Sequence, residues 1–544
     1  MFQKFQKVYG KLVISVLIIG FVGFIGWSAL FAAGEENSGV ISGVVKNSSG
    51  QQASGAFVKA KIAEKRLTYM AVSLDQGRYR LKDLPAGKYE IQAIGGGFQS
   101  NSPAVVEIAA GQEATANLTL DGRQPDMPKP LAASDYEKLL PEGSGKEIVK
   151  TRCSVCHALA QPVRHRGSRE NWRDVVTAMI GTTSLSTQDL DTVVNYLADN
   201  FGESVPSLSP ESTRSSHLPR TFVTGAAAKY TVMEYALPRG VAPHDSTADS
   251  NGIAWVSERV GNHIGRFDPR TLTYTRIPFP PSQTGASAMT TAIEVDPQGD
   301  VWVIDGGINN RLLRYNPKTD KFTVYPGPGG SFNTIRFLPD GTVWGSNIGG
   351  NKVVKLDPTT GKFTAYAVPS GVQAKKSHRP YGMAVDGNGK LWFAEEGSNR
   401  VGKVDPKTGE IGEFVLPGIA EDALPKRMGT DTQGNVWMGI YYANKLMKID
   451  YRTDKFTFYT VPTENSAPYS VSVDQTHNLV WVSEQMGDKL ARFDPKTNTF
   501  VEFPLPSLNS DVRRIQVDPS RPNRVWYSGG GLSYDKLGYV EVFD

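Results

Sequence analysis

The chain runs to 544 residues, more than one ordinary hydrophobic core serves, so several domains are expected. Lysine plus arginine (59) nearly balance aspartate plus glutamate (55), the formal net charge is +4, and no basic block occurs, which argues against a nucleic acid partner. Only two cysteines are present, which excludes a disulfide scaffold and a cysteine-rich zinc site.

From Leu12 to Ala33 the chain is almost wholly apolar and, as a helix, long enough to cross the ~30 Å hydrocarbon layer. Lys4, Lys7 and Lys11 precede this run and Glu35 and Glu36 follow it, which by the positive-inside rule leaves the remainder outside the cytoplasm. Residues 1–36 therefore read as a signal anchor, a transmembrane segment tethering a periplasmic protein to the inner membrane. Cleavage of the segment would leave a secreted chain instead.

Residues 38–121 read as a small β-sandwich. Val40–Val45, Ala56–Ala60, Arg78–Leu81 and Lys88–Ala93 alternate with the two-residue period of half-buried strands, with Gly, Pro and Asn turns between them. The run Gly77-Arg-Tyr-Arg-Leu-Lys-Asp-Leu-Pro-Ala-Gly-Lys-Tyr89, followed by Gly97-Phe98, resembles the carboxypeptidase regulatory-like (transthyretin-like) domain. That resemblance implies an accessory module, a spacer or a surface-binding unit. A linker rich in Pro and Asp, residues 121–130, follows.

Both cysteines fall in Cys153-Ser-Val-Cys-His157, the spacing by which haem is covalently attached. Cys153 and Cys156 would each add across a vinyl group, and His157 would bind the iron from the proximal side. Helical character around residues 143–158 and a second helix from Thr187 to Phe201, started by Ser186 with Asp189, resemble a small class I cytochrome c over residues 134–204. One covalent haem c is implied. Met179, ahead of the last helix, is the candidate distal ligand; His165 and an open or externally ligated iron are the alternatives. Trp172, Val175, Val176 and Met179 also mark the buried face of a helix. Arg152, Arg164, Arg166, Arg169 and Arg173 would hold haem propionates, dock an acidic redox partner, or form a solvated basic face.

After a Ser/Pro/Thr-rich linker (residues 205–228), seven tryptophans recur every 42 to 48 residues: Trp255, Trp302, Trp344, Trp392, Trp437, Trp481 and Trp526. That period belongs to propeller blades. Each unit has an Asp-x-x-Gly-type turn, a Val-Trp strand and two further strands ending in proline-containing turns. The last unit lacks its fourth strand and Tyr230–Leu237 supplies one in advance, so residues 229–544 should close as a seven-bladed β-propeller with both ends in one blade. Asn262-His-Ile-Gly-Arg-Phe-Asp-Pro269, Arg379-Pro-Tyr-Gly-Met-Ala-Val-Asp386 and Asp405-Pro-Lys-Thr-Gly409 resemble the virginiamycin B lyase (streptogramin lyase) family. The resemblance implies elimination by a histidine base with acidic magnesium ligands. His244 and Glu258 match the family's spacing and are the candidate catalytic residues, with Mg2+ as a candidate ion; Ala242 stands where the family has a glutamate. Three residues after each Trp come Glu258, Asp305, Asn347, Glu395, Ile440, Glu484 and Gly529, a ring that would face a small-molecule site at the channel mouth.

The overall expectation is a multidomain, mainly β protein with a transmembrane segment, a small sandwich, an all-α haem domain and a propeller. Its function would be electron transfer, with the propeller binding a substrate or a redox partner protein. The alternatives are a lyase like that of the resembled family and a haem-linked dehydrogenase.

Overall fold

A computed structural model describes residues 38–125, 131–154, 159–183, 185–205, 218–238, 241–259, 261–330, 332–530 and 535–543. The expected anchor, residues 1–36, lies outside the described residues. No helix among the described residues is long and apolar enough to cross a membrane.

The Trp repeat builds a ring. Six four-stranded antiparallel sheets follow in chain order, from Pro243–Pro278 (blade 1) to Pro468–Pro504 (blade 6). The seventh blade joins Val512–Asp518, Arg521–Gly529 and Lys536–Val542 to Tyr230–Ala236, which pairs with Lys536–Val542 from Tyr230↔Val542 to Ala236↔Lys536. The innermost strand of each blade touches that of the next, and blade 7 touches blade 1, so the ring closes. Both termini of the repeat region meet in one blade, as the missing fourth strand implied.

Every repeat Trp is buried, at most 1% exposed. In blade 4, Asp386 Oδ1 accepts the backbone N–H groups of Asn388 (2.8 Å) and Lys390 (3.0 Å), while Oδ2 accepts the indole N–H of Trp392 (2.9 Å). Gly389 completes the turn at φ +74°, the left-handed region that glycine enters without a Cβ clash. Asp249, Asp296, Asp431 and Asp518 hold the indoles of Trp255, Trp302, Trp437 and Trp526 likewise. Blade 3 departs from this: Trp344 donates to Thr342 Oγ1 (3.2 Å), and Asp340 holds only the turn.

The N-terminal region packs two sheets as a sandwich. One sheet carries Arg78–Leu84, Gly39–Asn47 and Glu113–Thr115; the other carries Gly87–Gly95, Phe57–Ile62 and Leu67–Val72. Leu67–Val72 had no place among the sequence-predicted strands, yet it pairs with Tyr230–Ala236 from Thr231↔Ala71 to Tyr235↔Leu67. The outer edge of blade 7 is thus covered by the sandwich, and one sheet runs through both units. Met233, Leu237 and Trp526 of the propeller share an apolar cluster with Ala60, Ile91 and Leu67 of the sandwich.

Between these units the chain is helical: Ala133–Lys138, Lys146–Ile148, Ala160–Arg164, Arg169–Thr183 and Thr187–Asn200. Ser186 caps the last of these by accepting from Asp189 N (3.1 Å), as its sequence implied. The helix expected across residues 143–158 begins at Lys146 and widens into a π-turn at Val149–Cys153.

Removing a buried Asp anchor orphans three donors at once, whereas Asp340 is exposed and leaves the indole untouched. Asp386→Ala should destabilise the propeller by about 3 kcal/mol and Asp340→Ala by less than about 1 kcal/mol, compared by denaturant unfolding followed through Trp fluorescence.

Candidate functional site

His244 and Glu258 sit on the paired inner strands of blade 1, where Pro243 stands opposite Glu258 and a register shift follows before Ser246. The two side chains take separate partners. His244 Nδ1 lies 2.9 Å from Asp245 Oδ1, and both residues are buried. Burial pushes the imidazole down to about 4 against the opposing pull of Asp245, so it is neutral near pH 7. Burial also works against the Asp245 charge, but Arg427 (Nη1 to Oδ2, 2.7 Å), His244 and Arg514 outweigh it and hold that carboxyl well below its usual range. Glu258 accepts from Tyr274 Oη (2.9 Å) and Arg276 Nε (2.9 Å), both on the outermost strand of the blade.

Near the axis of the ring, carboxylates pair with arginines of other blades. Glu294 of blade 2 pairs with Arg336 of blade 3 (2.6 Å) and Arg514 of blade 7 (2.7 Å), next to the Asp245–Arg427 pair. At the other end, Lys426 Nζ sits 5.0–5.2 Å from the ring centroids of Tyr381, Tyr441 and Tyr469 and pairs with Glu396, which Arg379 also holds (3.1 Å). Arg379, Arg427 and Arg514 are therefore gathered near the axis, each engaged with a carboxylate.

The ring of residues after each Trp is buried but not uniform. Glu258 and Asp305 each meet an arginine, Arg276 or Arg311. Glu395 and Glu484 instead face a second glutamate. Burial pushes each up to about 8, with Glu413 adding to the effect at Glu395 and Glu502 at Glu484.

The helical segment is seated on this end of the propeller. Arg164 is buried against blades 6 and 7, donating to Asn509 Oδ1 (2.6 Å) and Asp488 Oδ2 (3.2 Å). His165 Nε2 lies 3.8 Å from Asp511. Arg169 and Arg173 form exposed pairs with Asp199 and Asp191, and Arg166 stacks on Phe201 (5.4 Å). A cavity of about 700 Å³ lies between the two units, walled by Tyr136, Ser154 and Leu159 on the helical side and by Arg379, Tyr442 and Met486 on the propeller. Cys153 is half-buried against the helical core. Cys156 and His157 lie outside the described residues. Met179 falls within the helix Arg169–Thr183, its side chain likewise outside them. Trp172 and Val176 do form the buried face of that helix.

These features define a multidomain β-propeller protein with an N-terminal β-sandwich. Residues 281–541 match the model of the virginiamycin B lyase family, and residues 40–121 that of the carboxypeptidase regulatory-like domain. Among solved structures, the chain is similar to the selenomethionine-substituted virginiamycin B lyase from Staphylococcus aureus, at 21% identity and a TM-score of 0.51, over 58% of this chain and 100% of that one. It is also similar to a streptogramin B lyase, at 22% identity and a TM-score of 0.52, over 59% and 100%. A catalytically inactive S. aureus virginiamycin B lyase with quinupristin gives 20% identity and a TM-score of 0.51, over 58% and 100%. At such identities the likeness is one of fold. No curated protein matches the chain.

Glu484 provides a pH test. Its carboxyl is raised from 4.5 to about 8 in the folded protein, so the folded state holds a proton that the unfolded chain releases between those values. The resulting stability is complete below about pH 4.5 and is lost as pH rises towards 8. Glu484→Gln should therefore gain on the parent by a few kcal/mol between pH 5 and 8, read from melting curves across that range.

Proposed function

We propose that the chain is an exported, membrane-anchored electron-transfer protein carrying one covalent haem c on its helical segment, with the propeller as the module that binds a substrate or a redox partner. The observation that carries this reading is the sequence motif Cys153-Ser-Val-Cys-His157 together with a cavity, shared by the helical segment and the propeller, that Ser154 walls. Ser154 and Leu159, which flank residues 155–158, both wall that cavity. Its volume of about 700 Å³ lies within the usual range for cofactor sites, about 300–1,000 Å³. The π-turn ending at Cys153 is the kind of helix irregularity that gathers at functional positions.

The residues present fit the group. Cys153 and Cys156 would carry the thioether bonds, His157 the proximal ligation and Met179 the distal thioether. Lys376, which walls the same cavity, supplies positive charge for carboxylates. Haem bound there exchanges single electrons with a partner. The propeller's part is to seat the helical segment, through Arg164 on Asp488 and Asn509, and to present Tyr442 and Met486 to the cavity.

The lyase reading has the propeller fold behind it, but Glu258 is taken up by Arg276 and Tyr274, and Ala242 stands at the position of the family's second acid. The dehydrogenase reading predicts haem reduction by a substrate rather than by a protein donor.

Protein matured in a host with a haem-attachment system should keep its haem through denaturing electrophoresis. Cys153→Ala and Cys156→Ala together should abolish this, and Met179→Ala should remove the near-infrared iron–thioether band. Full-length protein without covalent haem overturns the reading.

A further inference from the structure

A second site stands out when equivalent positions in the blades are compared. The acid that follows the Trp lies near the outermost strand of its own blade. In blade 1 the third strand's Gly265 pairs with Arg276, and that arginine neutralises Glu258. The equivalent pair in blade 4 is Gly402↔Glu413, so the residue nearest Glu395 is a second acid. Blade 6 also has a second acid, through Ala491↔Glu502, but there Lys489 supplies the positive charge, 2.8 Å from Glu502. In blade 4 neither Glu395 nor Glu413 has a Lys or Arg within ion-pair distance among the described residues, and a histidine occupies the gap.

His378, Glu395 and Glu413 come from the loop before blade 4, from its second strand and from its outermost strand, and their ligand atoms all lie within 4.8 Å of one another. His378 Nδ1 is 2.9 Å from Glu395 Oε2 and 2.8 Å from Ser370 Oγ. Ser370 N donates to Glu413 Oε2 (2.9 Å), and its hydroxyl hydrogen-bonds the other oxygen of the same carboxylate. The backbone holds His378 in place: its N–H donates to Asn351 Oδ1 (2.9 Å), and its carbonyl accepts from Gly397 N (2.9 Å). Glu395 is fully buried, and its Oε1 has no hydrogen-bond partner.

Two carboxylates brought together with one imidazole, with no Lys or Arg in ion-pair contact among the described residues and Arg400 acting on Glu395 only at longer range, are costly unless a proton or a metal ion is shared between them. We infer that His378, Glu395 and Glu413, with Ser370 Oγ beside them, bind a divalent first-row transition metal ion, zinc or manganese, in blade 4. An imidazole with two carboxylates suits these ions, whereas magnesium and calcium take oxygen ligands. Donors about 2.0–2.2 Å from a tetrahedral ion stand about 3.4 Å apart, so a small contraction of the cluster closes the shell. The site is separate from the His244–Glu258 pair in blade 1. The ion ties the outermost strand of blade 4 to the loop before it and to the short helix Pro369–Gln373.

The test is equilibrium dialysis of the chelator-treated full-length protein against Zn2+, Mn2+ or Mg2+, with elemental analysis, followed by melting curves with and without the bound ion. The parent should take up one Zn2+ or Mn2+ in preference to Mg2+ and melt higher when loaded. Glu413→Arg places blade 1's arginine in blade 4, so it should fold and melt like the metal-free parent while losing the uptake; His378→Gln should weaken it at least about tenfold. Equal uptake by the parent and Glu413→Arg, no uptake by a folded parent, or a preference for Mg2+ would each overturn the assignment.

Discussion

Five of the seven blades rest on a carboxylate buried beneath a tryptophan. One aspartate side chain accepts from two backbone amides of its own turn and from the indole of the next strand, as Asp386 does for Trp392. This bond does two things at once. It satisfies donors that would be costly to bury unpaired, and it fixes the register of the second strand relative to the first. The residue three places beyond the Trp is then carried to the same end of every blade. The positions of Glu258, Asp305 and Glu395 follow from the indole being held, and the chemistry there differs because the residue supplied by the outermost strand differs from blade to blade.

Much of this was legible in the chain. The Trp period, the Asp-x-x-Gly turns and the missing fourth strand of the last unit led to a closed ring, because each is a local pattern with a single geometric meaning. Leu67–Val72 was not legible as a strand: both of its faces are covered, so Leu67-Thr-Tyr-Met-Ala-Val72 shows almost no alternation. The engagement of Glu258 by Arg276 was hidden for another reason. The spacing of His244 and Glu258 was visible, but the claim of Arg276 on Glu258 arises only when the outermost strand folds alongside. His378 and Glu413 carried no signal at all, since a loop histidine and a glutamate on a half-exposed strand become neighbours only through ladder register.

The helical segment shows how charge is used at a contact. Five arginines crowd its sequence, and the structure divides them: Arg164 enters the propeller face, Arg166 covers Phe201, Arg169 and Arg173 pair on the surface, and Arg152 is exposed. A buried Arg–Asp contact such as Arg164–Asp488 gives orientation more than net stability, because desolvation offsets much of the attraction. It fixes which face of the helices looks onto the cavity, and the tyrosines around Lys426 lie at that same end of the ring.

The strand Tyr230–Ala236 leaves the ribosome long before Lys536–Val542, its partner within the propeller. Closing a loop of that length has an entropic cost, and until it closes an emerging strand is a sticky edge open to any other chain. Leu67–Val72 is synthesised earlier still and pairs with the opposite edge of the same strand. The sandwich thus acts as a jig: it can hold the first-made piece of the last blade straight and half covered while six further blades are spun out, ready for the C-terminal strands to dock.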